Sequence, residues 1–235
     1  MLPWIKTFND FPPVDTALDE PNGLLCVGAD LDPATIIAAY SRGIFPWFSD
    51  DQPILWWSPD PRMVLFPGEF RISKSLAKTV SRNAFEIRFD SAFAGVIAAC
   101  SEPRGKHGGT WIVPEMQAAY AQLHALGVAH SIESWRDGKL VGGLYGLALG
   151  RMFFGESMFA RETDASKVAL VALVEKLKRD GFELIDCQQE TRHLASFGAR
   201  PIPRREFVHR LAELIDLKQS SSAWRPIGTG LNVEA

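Results

Sequence analysis

The chain has 235 residues, 46% of them hydrophobic, and a formal net charge of −3, enough apolar sequence for a buried core in one or two domains. These values exclude a disordered or fibrous protein, and also a general polyanion binder, which would carry a basic excess; any nucleic-acid contact has to come from a local patch. Cys26, Cys100 and Cys187 are odd in number and widely spaced, which fits neither a disulfide framework nor a paired thiolate metal site, so reduced cysteines are expected.

Residues 1–15 contain Pro3, Lys6, Asp10, Pro12 and Pro13 where an export signal needs a continuous apolar run. The densest apolar stretch, 168–174, is far shorter than the ~20 residues that cross a bilayer. A cytoplasmic location without membrane contact is expected. Leu24 to Val27 reads as a short buried strand, and Asp32-Pro33 supplies a cap and a proline for the first helical position. Ile36, Ile37 and Tyr40 form that helix's apolar face, and Gly43 ends it. Ile44 to Phe48 and the pair Trp56-Trp57 close this small unit. Ser58-Pro59-Asp60-Pro61 then breaks regular structure, which sets the expected domains at residues 1–61 and 62–235.

Beyond the break, Met63 to Phe66 and Phe85 to Asp90 read as strands, the second with Phe85, Ile87 and Phe89 on one face at period two. Pro114 starts a helix that Gly127 stops. Ser131 to Trp135, the Asp137-Gly138 turn and Leu140 to Leu149 predict a hairpin, followed by a strand from Met152 to Phe159. Asp164 caps a helix through Arg179, Glu183 to Cys187 is a further strand, and the last helix runs from about Arg205 to Leu217. The fold class is α+β: a small N-terminal α/β unit, then a meander, helix, strand and closing helix in an order that suits an N-acyltransferase. Fold order alone names no reaction.

Glu156 and Asp186-Cys187-Gln188 fall at the ends of two strands, where one carboxylate can handle a proton while the other fixes a cationic substrate. Either acid alone reads as readily as a cap or a surface group. Ser157 lacks the second glycine of a nucleophile elbow, Cys187 and His193 are a weak thiolate pair, and the five histidines show no metal spacing, so no metal is expected. A coenzyme A site on this fold needs a glycine-rich helix start to cradle the pyrophosphate, whereas residues 160–166 hold no glycine and two acids. No cofactor is therefore expected. Lys74, Lys78 and Arg82 recur every four residues and predict one cationic helix stripe, with Arg71, Arg104, Lys106, His107, Arg192, Arg200, Arg204 and Arg205 as additions to a phosphate-binding surface. Trp47 and Trp111 lie in loop contexts where an indole can stack a base for ~1–3 kcal/mol. Leu170, Leu173 and Leu177 share a helix face with Leu144, Met158 and Ile185 available from strands; this is ordinary core, or the lining of an apolar pocket with carboxylates at its mouth.

Several stretches together resemble the leucyl/phenylalanyl-tRNA–protein transferase family: 20–25 (EPNGLL), 42–48 (RGIFPWF), 56–62 (WWSPDPR), 109–112 (GTWI), 130–133 (HSIE), 141–143 (VGG), 155–159 (GESMF), 165–167 (ASK) and 184–188 (LIDCQ). They cover nearly the whole chain in order; only the tail after Leu217 stands outside. The resemblance implies a GNAT-like second domain and transfer of leucine, phenylalanine or, less well, methionine from its tRNA to a protein beginning with arginine or lysine, a mark for degradation. It also implies that Asp186 and Gln188 are the catalytic pair; the mechanism expected from that pair has Asp186 orienting Gln188. Glu156 would be a polar wall, Trp47 and Trp111 contacts for the terminal adenosine, and Met158, Ile185, Leu144, Leu170, Leu173 and Leu177 the amino-acid pocket. The rival readings are a coenzyme A-dependent N-acetyltransferase and a non-catalytic tRNA-binding protein.

Overall fold

A computed structural model describes residues 2–103, 112–215 and 224. Among these residues the strands form two sheets. The first is built from β1 (Trp4–Ile5), β2 (Leu24–Gly28), β3 (Phe45–Pro46) and β4 (Leu55–Trp57), with helix α1 (Pro33–Tyr40) between β2 and β3. Its order is β1-β2-β4-β3, so β4 lies at the centre and Trp56 is fully buried among Phe11, Leu25, Cys26 and Ile44. The Trp56 indole N–H donates to the Gly28 carbonyl at 2.9 Å, which removes the cost of burying that donor.

The second sheet uses β5 (Arg62–Leu65), β6 (Glu86–Phe89), β7 (Ala129–Arg136), β8 (Lys139–Leu149), β9 (Met152–Ala160), β10 (Leu184–Asp186) and β11 (Arg200–Ile202), in the order β11-β5-β10-β9-β8-β7-β6. β6 to β9 form an antiparallel meander, matching the expected hairpin with its Asp137-Gly138 turn. β10 runs parallel to β9, and a parallel neighbour requires a crossover, supplied by helix α5 (Ala165–Arg179). α5 packs on β7 and β8, burying Val168, Leu170, Leu173, Val174 and Leu177 against one face of the sheet. Helices α3 (Phe93–Ser101) and α4 (Pro114–Ala125) cover the opposite face. The chain also contains α2 (Lys74–Ser81), α6 (Arg192–Ala195) and α7 (Arg204–Leu214). The expected α+β architecture and element order are present, and no helix among the described residues is long and apolar enough to cross a membrane.

The close fit of α5 depends on Gly142. A Cβ there would lie 2.5 Å from the Ala165 Cβ and 2.9 Å from its carbonyl carbon, so only glycine lets the first turn of α5 approach β8 this closely. Asp164 stands at the start of α5 as expected, but its backbone is left-handed (φ 66°) and caps no helix N–H through its side chain; the carboxylate holds the Lys167 ammonium at 2.7 Å instead. Asp32 likewise makes no side-chain cap. That place falls to Asp30, which accepts from the Asp32 N–H at 3.1 Å and the Thr35 hydroxyl at 2.6 Å.

α3 has no counterpart among the predicted elements. Its sequence, FAGVIAACS, has neither a polar stripe nor a side-chain cap; the turn that leads into it is held by Glu133 on β7, which accepts from the Ser91 N–H at 2.9 Å and the Ala92 N–H at 2.7 Å. Trp224, in the C-terminal tail, stacks on His130 with centroids 4.1 Å apart and lies 4.4 Å from the Lys176 ammonium. That ammonium is itself bound to Asp180 at 2.6 Å.

Candidate active site

β10 pairs with β9 only as far as Asp186 opposite Phe154. Past that register β9 continues through Gly155 to Ala160, while the chain leaving β10 turns away. A cavity of about 440 Å³ opens there, at the carboxyl end of a parallel strand and within the usual size for a small-molecule site. Its apolar lining comes from Leu65, Leu144, Met158, Leu170, Leu173 and Ile185. Glu156, Gln188, Gln189, Thr191 and His193 supply the polar part of the lining, and Phe45, Pro46 and Trp47 of the first sheet close one wall.

Eight of the expected site residues therefore meet in one place: Trp47, Leu144, Glu156, Met158, Leu170, Leu173, Ile185 and Gln188. Leu177 does not line the cavity. It follows Leu173 by one helical turn, on the same face of α5, but that further turn takes it out of the lining and into the core around the helix, where it is fully buried. Trp111, Arg104, Lys106 and His107 lie outside the described residues. Lys74 and Lys78 stand exposed on α2 with Arg82 at its C-cap, as the four-residue spacing predicts, away from the cavity lining.

Asp186 also stays out of the cavity lining. Its carboxylate is fully buried and accepts from Arg62 through both oxygens, Nε at 2.8 Å and Nη2 at 2.7 Å. Oδ1 further accepts the backbone N–H of Gln188 at 2.9 Å, holding Gln188 at a left-handed φ of 54°. Asp186 does orient Gln188, but through the main chain; its charge is matched by a guanidinium and is not presented to the cavity. Arg62 was not singled out from sequence. A strand that ends in a buried aspartate demands a counter-charge, and an arginine opening the neighbouring strand β5 was the available signal.

Glu156 is held differently. Oε1 accepts from the Tyr40 hydroxyl at 2.7 Å, Oε2 from the Tyr120 hydroxyl at 3.0 Å, and the two hydroxyls are 2.7 Å from each other. Three short contacts need three protons. With Glu156 ionised and accepting through both oxygens the two tyrosines supply only two, whereas a neutral carboxyl completes the ring by donating through one oxygen and accepting through the other. Burial likewise pushes the Glu156 carboxyl from 4.5 up to about 8, against the opposing hydrogen bonds from Tyr40 and Tyr120. The Gln188 side-chain amide reaches Oε1 at 3.5 Å. The sequence pattern places Tyr40 on an apolar helix face and gives Tyr120 no role; neither hydroxyl's destination is visible in local periodicity. Burial pushes the Cys187 thiol well above its ordinary range, which leaves it a neutral wall group and no nucleophile. Burial, and then Lys167, lower the pKa of His193 at the mouth.

A family model described as leucyl/phenylalanyl-tRNA protein transferase matches residues 64–212, and the model of that family's N-terminal domain matches residues 29–60. The chain belongs to this family. Relatives named leucyl/phenylalanyl-tRNA–protein transferase include one from Aromatoleum aromaticum, 59% identical over 95% of this chain and 94% of the relative. Another, from Nitrosospira multiformis, is 58% identical over 95% and 97%, and a third, from Thiobacillus denitrificans, 61% identical over 91% and 94%. Solved structures align more loosely: a ribosomal-protein-alanine N-acetyltransferase from Brucella melitensis biovar Abortus 2308 covers 62% of this chain, over 99% of its own length, at 14% identity and a TM-score of 0.34.

Proposed function

We propose that the protein transfers leucine or phenylalanine, and less well methionine, from aminoacyl-tRNA to the N-terminal arginine or lysine of an acceptor protein. The observation that carries this reading is the cavity itself: a deep apolar lining at a rim that holds Glu156 and Gln188, in a chain of this family. The donor side chain fills the space bounded by Leu144, Met158, Leu170, Leu173 and Ile185. The terminal adenosine packs on Trp47, with Trp111 as the second contact that the resemblance implies, and the tRNA backbone lies on the stripe Lys74, Lys78 and Arg82.

The α-amino nitrogen of the acceptor attacks the ester carbonyl carbon, an amide forms, and the bond to the ribose 3′ oxygen breaks. One proton leaves the amine and one reaches the departing hydroxyl, so the step is balanced. The donor ester is already activated and the amine has a reference pKa of ~7.7–8.0, so holding the two reactants together contributes more than a strong base would. Gln188 touches the reacting groups, Asp186 fixes Gln188, and Glu156 forms the polar wall. Residues 1–61 and 62–235 act as two domains whose walls meet at the cavity. The reaction belongs to the cytoplasm, where charged tRNA is available, and the product is marked for degradation.

Incubation with tRNA charged with labelled leucine and a peptide beginning with arginine tests this reading. Label in the peptide supports it. Retained charged tRNA without transfer would leave a binding protein, and labelling of the peptide only from acetyl-coenzyme A would leave an acetyltransferase.

A further inference from the structure

The two sides of the cavity are tied together by one buried residue. Arg62 opens β5, adjacent to β10 in the sheet, and its side chain is fully buried. The fork formed by Nε and Nη2 holds both oxygens of Asp186 at 2.8 and 2.7 Å. Nη1 donates to the Gly43 carbonyl at 3.2 Å. The guanidinium also lies 4.7 Å from the ring centroid of Phe45 and 4.6 Å from that of Phe207. Gly43 and Phe45 introduce the wall Phe45-Pro46-Trp47, and Asp186 fixes the backbone of Gln188.

We propose that Arg62 is a positioning residue for aminoacyl transfer, setting the Trp47 wall and the Gln188 turn at one fixed separation. The proposal rests on the transferase reading above. A fork is required because the two Asp186 bonds and the Gly43 bond leave the same planar group in different directions. Lysine keeps the charge but offers a single nitrogen, so it can balance Asp186 without also holding Gly43. Gln188 needs this support because its left-handed backbone is a strained conformation that the surroundings must enforce.

Arg62→Lys is the informative variant, since it leaves Asp186 with a counter-charge where Arg62→Met would strand it. Three measurements on one preparation separate the possibilities. In the variant, the Gln188 amide should exchange its proton at least ten-fold faster, while amides within the β7–β8 ladder keep their protection. The turnover of folded protein, kcat for leucyl transfer, should fall at least ten-fold with KM for the charged tRNA changed less than three-fold, the mark of an interaction used in the transition state. Unchanged Gln188 exchange, or faster exchange with undiminished kcat, would overturn the proposal. So would a loss that follows only the thermal midpoint or appears wholly in KM. A wild-type protein that transfers nothing fails on the first assay and removes the transferase reading, while the exchange measurement still decides whether Arg62 holds Gln188.

Discussion

At the scale of single residues, the two carboxylates of the site have opposite environments. Asp186 is buried against a guanidinium fork, and Glu156 is partly buried at the cavity wall against two hydroxyls that cannot match a full charge. The pH consequence lies with Glu156, whose folded pKa of about 8 exceeds the ordinary 4.5 because of burial. Between those values the native state holds a proton that the unfolded chain has released, so stability falls as pH rises across this window. The contribution is fully present below the unfolded value and lost through about pH 8. Glu156→Gln should therefore flatten the decline of the thermal midpoint between pH 6 and 9. The variant should also lose the alkaline limb of the transfer rate near pH 8, if the neutral carboxyl is the working form. Thermal melts and single-turnover rates over the same pH series check both, and a variant with the wild-type profile would assign that limb elsewhere. This environment was not legible in the sequence. The strand-end position of Glu156 was, but the hydroxyls that hold it come from residues 40 and 120, each from a helix whose local pattern announces only an apolar face, and the burial that raises its pKa is a product of the fold.

At the scale of elements, the cavity that we propose holds the donor side chain depends on how closely α5 can approach the sheet. Gly142 sets that distance, since a Cβ at this position overlaps Ala165 backbone as well as side chain. Gly142→Ala should push the first turns of α5 outward, costing roughly 1–3 kcal/mol as overpacking usually does and moving Leu170 and Leu173. Urea denaturation should show the lower stability, and KM for leucyl-tRNA should rise several-fold. An unchanged KM would mean that α5 tolerates the shift without altering the pocket. The main elements themselves could be read from sequence: the Asp137-Gly138 hairpin and the strand from Met152 stand where pattern and turn chemistry put them, the helix expected from Asp164 to Arg179 runs Ala165–Arg179, and the strand expected over Glu183 to Cys187 is one residue shorter at each end, Leu184–Asp186. α3 could not, because it carries few polar residues to mark a face and the residue that holds the turn into it, Glu133, is about forty residues away. β11 and α6 span three and four residues, too short for any period to register. Leu177 shows the same limit from the other side. Helical spacing groups it with Leu170 and Leu173, and only the folded packing decides where pocket ends and core begins.

For the whole molecule, the net charge of −3 makes a local cationic stripe the natural place for a polyanion. Lys74 and Lys78 are exposed on one face of α2 with Arg82 at its end. Changing Lys74 and Lys78 to Ala should weaken leucyl- and phenylalanyl-tRNA alike and reduce the slope of log affinity against log salt by about 1–2, because each lost phosphate contact releases fewer counterions. Titrations at several salt concentrations test this, and loss for one tRNA body alone would contradict it. The site's polar framework also joins distant parts of the chain: Tyr40 to Glu156 spans 116 residues and Arg62 to Asp186 spans 124. During synthesis Tyr40 and Arg62 leave the ribosome long before Glu156 and Asp186 exist. On the proposed reading, the nascent protein lacks its transfer site until the segment around Asp186 has been made and has folded back against these earlier residues.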